Sequence, residues 1–274
     1  MLRELKRLWQ SSAFALENLS FSETVALLLE KHGYPRDALL LEKEVDCPEL
    51  VTEFERAVSG EPLGYILCKV PFWKEEYLVE EGVLIPRADS ETLVEKAIEL
   101  IPESSHFLDI CTGSGCLGIS ILRSRPDLSA TLLDISPISK KVAEKNIEAL
   151  GVTSRCTFQP FDLFTSELPD CSAVIMNPPY ITREEMKALP ENVKREPPLA
   201  LDGGEDGLDF YRFVASSPAF ANKLLIFEIG YLQGKALTDL FNGGEIIKDL
   251  AGNDRVFVFN PKDTPPQKAQ RVSR

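Results

Sequence analysis

Three short stretches carry residue types whose spacing can do chemistry. In the first, FLDICTGSGCLGIS (residues 107–120), Gly113-x-Gly115-x-x-Gly118 follows an apolar run. Glycines at 113 and 115 let the backbone pass close beneath a ligand, and Gly118 lets a helix pack tightly on the preceding strand. The helix starting there offers free N–H groups to an anionic ligand. The second is Asp134, at the end of the next apolar run, where a carboxylate can accept both hydroxyls of a ribose. The third, Asn177-Pro178-Pro179-Tyr180, closes a further apolar run. Proline fixes φ and has no N–H, so the carbonyls around Pro178 and Pro179 are held rigid and free to accept. The Asn177 side-chain oxygen adds an acceptor and Tyr180 a flat face for stacking. Such a site suits a planar amino group, either an amide or the exocyclic amine of a base.

The glycine loop and Asp134 together indicate an adenosine-containing cofactor, without separating a nicotinamide dinucleotide from S-adenosylmethionine. Asp109, just before the loop, tilts the balance toward S-adenosylmethionine. A carboxylate there can pair with the α-ammonium of a methionyl group, whereas a pyrophosphate would be repelled. Acceptors that hold both hydrogens of a delocalised nitrogen aim it at a donor methyl and stabilise positive charge as the bond forms. A sulfonium donor is already activated, so a dedicated base is not obligatory, and no His or Cys accompanies the NPPY motif.

The elements that must position these groups follow from periodicity. Residues 1–70 read as a small bundle of short helices. One run begins at 22–25 and ends at His32-Gly33, one follows Pro35 over 36–45, and one runs from Glu49 to Gly60. His32 reads as a last-turn residue favoured by the helix dipole. Residues 71–85 read as a two-stranded β-hairpin linker turning at Glu81-Gly82. Beyond 86, strands at 106–110, 130–134, 156–159, 173–177 and 224–229 alternate with helices that include 117–124, 137–149, 207–214 and 233–241. That alternation means an α/β fold with a parallel sheet covered on both faces. A last pair, 245–248 and 255–259, has too short a connection for a crossover and must be antiparallel. The Pro-rich, basic tail after 260 reads as a disordered terminus.

Composition bounds the rest. Of 274 residues, 44% are hydrophobic, enough for a full core, and the net charge of −13 argues against a broad nucleic-acid footprint. Six cysteines (Cys47, Cys68, Cys111, Cys116, Cys156, Cys171) form no CxxC pair, and His32 and His106 are the only histidines, so no metal site is expected. Neither a signal peptide nor a membrane span is evident, and a soluble cytoplasmic protein is expected.

With these residues in view, the chain closely resembles the bacterial protein-(glutamine-N5) methyltransferases that modify class-1 peptide chain release factors. EPLGYI (61–66), VLIPRADSETLVE (83–95), the glycine loop, LLDIS, FDLF (161–164) and NPPYI carry the likeness, with EPPLALDGGEDGLDFYR (196–212), EIGYLQG (228–234) and KDLAGNDRV (248–256). NPPY alone is shared with adenine and cytosine amino-methyltransferases; the 196–212 block is far more specific. The resemblance implies a seven-stranded Rossmann-like class I methyltransferase domain over 86–274. It also implies a helical substrate-recognition domain over 1–70, joined by the 71–85 hairpin.

It further implies S-adenosyl-L-methionine as cofactor and the glutamine of the release factor's Gly-Gly-Gln loop as methyl acceptor. By position, Cys111, Thr112, Gly113, Ser114 and Gly115 line the methionyl and ribose end. Asp134 holds the ribose, Asp162 and Leu163 border the adenine, and Asn177, Pro178, Pro179 and Tyr180 hold the glutamine. Cys111 stands where the family usually has glycine, Leu163 where tryptophan is common, and Ala88-Asp89-Ser90 where Pro-Glu-Thr is usual. No direct nucleic-acid or membrane partner is expected, and a monomer is.

A DNA amino-methyltransferase acting on adenine N6 is the alternative, but it would need a basic face and a target-reading domain. A non-enzymatic adenosine-binding protein would leave the 196–212 block without a purpose. Other blocks stay open: Arg87 orders the linker or forms a structural ion pair, and 196–204 shapes a lid or is a surface loop. Residues 206–209 read as a helix start, and Glu228, at a strand end, stays open between a supporting acid and a residue with no part in the site.

Overall fold

The computed structural model describes residues 1–11, 19–38 and 45–262. Helices α1 (Leu2–Ser11), α2 (Phe21–Lys31), α3 (Glu49–Val58) and α4 (Leu63–Leu67) come first. They enclose their own core, in which Leu5, Leu28, Leu50 and Phe54 are fully buried. Ser20 starts α2 by a reciprocal capping pair with Glu23. The helix expected over 36–45 falls largely on 39–44, outside the described residues, as does the tail from 263 on.

Strands β1 (Lys69–Phe72) and β2 (Glu75–Leu78) form an antiparallel hairpin. Its turn is at Trp73-Lys74, not at Glu81-Gly82 as the glycine suggested. Trp73 takes a left-handed φ of 56°. Its N–H donates to the Glu91 carboxylate at 2.7 Å and its indole N–H to Ser124 Oγ at 3.2 Å. Tertiary bonds thus hold a conformation that local turn chemistry assigns to glycine. The hairpin is welded to the following domain: Phe72 and Tyr77 lie in that domain's core, and the Tyr77 hydroxyl pairs with Ser120 Oγ at 2.7 Å. Burying each ring contributes roughly 1.5–3 kcal/mol.

After a short 3₁₀ turn (Ala88–Ser90) come α5 (Glu91–Leu100), β3 (His106–Ile110), α6 (Cys116–Ser124), β4 (Ser129–Asp134), α7 (Pro137–Ala149), β5 (Cys156–Pro160) and β6 (Ala173–Met176). Then follow α8 (Arg183–Ala188), α9 (Glu191–Lys194), α10 (Asp209–Ser216), β7 (Leu224–Glu228), α11 (Gly234–Phe241), β8 (Glu245–Lys248) and β9 (Asp254–Phe259). The seven-stranded sheet has the order β5-β4-β3-β6-β7-β9-β8. Strands β3 to β7 pair in parallel, and β9 runs antiparallel to both neighbours, inserted between β7 and β8. This is the α/β class I methyltransferase architecture, with a helical region and a small hairpin sheet before it.

Alternation along the strands feeds two cores. Phe107, Leu132, Ile175 and Ile226 face one way, with Leu93 of α5, Ile119 of α6 and Ala143 of α7. Leu108, Leu133, Val174 and Phe227 face the other, with Tyr211 of α10 and Leu237 of α11. Both faces being covered explains the near-continuous apolar strands. Strand order reverses between β3 and β6, so their carboxyl ends flank a topological switch point, where ligands of such sheets bind. Register places Ile110 level with both Leu133 and Met176. The glycine loop, Asp134 and Asn177 therefore leave the sheet side by side. Among the described residues, no helix is long and apolar enough to cross a membrane.

Candidate active site

A cavity of about 280 Å³ opens at that switch point. Of the residues singled out from the sequence, Cys111, Gly113, Asp134, Asp162, Leu163, Asn177 and Pro179 line it. Asp109, Thr112, Ser114, Gly115, Pro178 and Tyr180 do not line it.

The glycine loop is shaped by left-handed backbone at Cys111 (φ 60°), Gly113 (φ 56°) and Gly115 (φ 84°). A side chain at Gly115 would press on Ile119 and Leu132, and one at Gly118 would come within 2.6 Å of Leu132 and 2.9 Å of Asp109 Oδ2. Gly118 thus permits the close helix–strand approach expected of it. Cys111 takes the same left-handed conformation without being glycine, a local cost that the surrounding loop sustains. Burial, with Asp134 and Asp109 nearby, holds the Cys111 thiol well above its ordinary pKa. It is therefore a neutral, apolar wall.

Asp134 ends β4 and is half-buried at the cavity. Its Oδ2 accepts the Gly113 N–H at 2.9 Å and its Oδ1 the Ser136 N–H at 2.9 Å. Burial raises its pKa, and those N–H groups pull it back. This carboxylate fixes the loop and keeps further lone pairs for a ligand.

Asp109 departs from the role read for it. It is wholly buried, and its Oδ2 accepts the Thr112 hydroxyl at 2.6 Å and the Gly118 N–H at 3.0 Å. Strand alternation turns it, like Phe107, toward α6, so it braces the loop from beneath and does not line the cavity. Its Oδ1 is buried without a partner. Burial pushes its pKa up to about 7, against the pull of Thr112 and Gly118, with Asp134 adding to the rise.

On the opposite wall Leu163 is buried, and Asp162 accepts the Phe164 N–H and the Thr165 hydroxyl, both at 2.9 Å. Phe164 packs on Phe210 of α10, with centroids 5.1 Å apart. At the third wall, β6 ends at Met176, so Asn177 lies just past the strand. Pro178 and Pro179 are buried and Tyr180 is half-buried. The Tyr180 hydroxyl donates to Glu228 Oε1 at 3.2 Å, and burial beside Glu228 raises its pKa well above the usual phenol value.

The blocks left open now have places. Arg87 pairs with Glu196, whose Oε2 also accepts the Ile85 N–H at 3.0 Å. Pro197, Leu199 and Ala200 then line the cavity. Arg87 is thus both an ion-pair partner and the tie between the strap after the hairpin and this wall. Asp89 pairs with Arg255 at 3.1 Å, and Arg255 with Asp249.

Sequence reasoning missed Ser139 and Phe210, which line the cavity, and Asn146, which supports the loop. Their signal was positional only: a small residue in the first turn of α7 and an aromatic in the 196–212 block.

His106 pairs with Ser129 and Thr131 hydroxyls at the start of its strand. Away from the cavity, His32, Cys47 and Glu49 bring ligand-type atoms within 4.8 Å of one another, though His32 Nε2 already pairs with Glu53.

Residues 88–202 match the family model described as the methyltransferase small domain. The release factor glutamine methyltransferase of Moorella thermoacetica is 36% identical over 241 residues, covering 82% of this chain and 84% of that protein. That of Bacillus subtilis is 35% identical over 274 residues, covering 91% and 94%. Among solved structures, the hMettl16 catalytic domain shares the fold, with a TM-score of 0.55 at 13% identity over 67% of this chain and 74% of that one. On identity and coverage together, the chain belongs to the release factor glutamine methyltransferase family.

Proposed function

We propose that this protein transfers the methyl group of S-adenosyl-L-methionine to the side-chain amide nitrogen of the glutamine in the Gly-Gly-Gln motif of class-1 release factors. The observation that carries the reading is one cavity walled by Gly113 and Asp134, by Asp162 and Leu163, and by Asn177 and Pro179. Names of relatives at 32–38% identity support the acceptor and disfavour a DNA amino-methyltransferase.

The residues present fit the cofactor. Asp134 offers an anchored carboxylate to ribose hydroxyls, Leu163 an apolar wall to adenine, and Asp162 a polar edge. Cys111 to Gly115 supply a close-approach backbone for the methionyl end, with Asp109 holding that backbone from below. When bound, S-adenosylmethionine supplies a methyl group already activated on sulfonium. The chain's own work is then placement. Asn177 and the carbonyls framed by Pro178 and Pro179 accept from the amide hydrogens and aim the nitrogen lone pair at the methyl. The same acceptors stabilise charge that grows on nitrogen. Tyr180, which does not line the cavity, follows directly on these acceptors and is assigned the flat boundary met by an acceptor entering past Pro179.

We assign residues 1–70 to recognition of the protein substrate, 71–85 to the link and 86–274 to catalysis, in a cytoplasmic monomer that needs no nucleic acid. The test incubates the protein with methyl-labelled cofactor and either release factor or DNA. Label in the Gly-Gly-Gln peptide is expected; label in DNA alone overturns the reading.

A further inference from the structure

Glu228 and Gln233 lie at the end of β7 and in the loop after it, outside the cavity wall, yet both reach Tyr180. Glu228 is 2% exposed. β7 lies beside β6 with Phe227 level with Met176, so Glu228 emerges next to Asn177. Its Oε1 accepts the Tyr180 hydroxyl. Gln233 holds the other end: its Nε2 donates to the Tyr180 carbonyl and to the Gly207 carbonyl, both at 3.1 Å. Its Oε1 accepts the Gly230 N–H at 2.9 Å, so both ends of the amide are engaged within the protein.

The 203–207 segment closes on the same residue. A Cβ at Gly203 would stand 2.6 Å from Tyr180 Cα, and one at Gly207 would stand 2.2 Å from the Tyr180 carbonyl oxygen. Gly207 also needs its φ of 75°. The glycines of the 196–212 block and the acid and amide of the EIGYLQG block therefore converge on one residue.

We propose that Glu228 and Gln233 are positioning residues for the methyl-acceptor end of the site, acting through Tyr180 by fixing its ring and its main chain separately. This rests on the reading that 177–180 hold the acceptor amide. A bond at each end restrains both the ring and the main chain of Tyr180, and methyl transfer is sensitive to displacements of about 1 Å. The cofactor end is braced by Asp109 and Asp134 instead, so the two ends fail separately.

The test compares Glu228→Leu, Glu228→Gln and Gln233→Ala with wild type, reading release-factor KM and kcat, cofactor Kd, and hydrogen exchange of the Ile181 amide. Ile181 bonds to Leu201 just past Tyr180. Glu228→Leu and Gln233→Ala should each raise acceptor KM or lower kcat at least tenfold, keep cofactor Kd within twofold, and speed exchange at Ile181 but not at Gly118. Glu228→Gln, which keeps an acceptor for the hydroxyl, should restore most of the loss. Acceptor kinetics within twofold of wild type, or equal loss of cofactor binding, overturns the proposal. If wild type leaves the release factor unlabelled, the functional reading fails, and exchange at Ile181 still decides the clamp: unchanged exchange in both Glu228→Leu and Gln233→Ala refutes it.

Discussion

The Asn146 side chain pairs with both backbone groups of Leu78, accepting its N–H at 2.8 Å and donating to its C=O at 3.0 Å. Its remaining hydrogen goes to the Ser114 carbonyl in the glycine loop, at 2.8 Å. One buried amide on α7 therefore ties the hairpin to the cofactor end of the cavity. Asn146→Ala orphans three backbone groups and should cost about 3 kcal/mol, at roughly 1 kcal/mol each. Urea unfolding measures the loss, and hydrogen exchange should rise first at Leu78. Asn146→Asp should not rescue it, because a carboxylate meets two carbonyls.

Asp109 sets a pH dependence. Its folded pKa of about 7 lies above the ordinary 3.8, so between those values the folded state holds a proton that the unfolded state has lost. Stability should then fall as pH rises from about 4 to 7, by on the order of 4 kcal/mol. Calorimetry across pH 4.5–8 on wild type and Asp109→Asn checks this; the variant should show a shallower slope.

At Cys111 the backbone favours glycine. Cys111→Gly should leave stability within about 1 kcal/mol, relief of left-handed strain offsetting lost side-chain packing and added unfolded-state entropy. Cys111→Val places a β-branched residue at positive φ and should weaken cofactor binding at least tenfold, read by calorimetric titration.

Glu196 is buried and bonds both Arg87 and the Ile85 N–H. Breaking a wholly buried pair costs about 3–5 kcal/mol, but the Arg87 side chain is 39% exposed, so Glu196→Ala should cost nearer ~2 kcal/mol. Because Pro197, Leu199 and Ala200 follow directly, cofactor KM should rise as well, measured by steady-state kinetics.

Local signals were legible where their physics is local. Ser136-Pro137 announces α7, and helix and prediction coincide at 137–149. The glycine loop, Asp134 and NPPY follow apolar runs, and parallel register alone brings them together. The hairpin turn was misplaced because Trp73 is held by Glu91 and Ser124, partners that turn chemistry does not see. Asp109 faces inward because it shares strand parity with Phe107. Glu228 meets Tyr180 across 48 residues and Asn146 meets Leu78 across 68. No spacing rule reaches that far, so the supports of the site were the least readable part of it.

Strand β9 sits inside the sheet yet is made after all its neighbours. As the chain leaves the ribosome, β7 emerges with one flank bare, and β8 follows with no strand to join until 254–259 arrive. Until then the sheet that carries NPPY presents an open edge of unpaired N–H and C=O groups, the kind that recruits foreign strands. A chain stalled or cut before Asp254 keeps that edge permanently. The moment of greatest risk for this enzyme comes between the synthesis of β7 and that of β9.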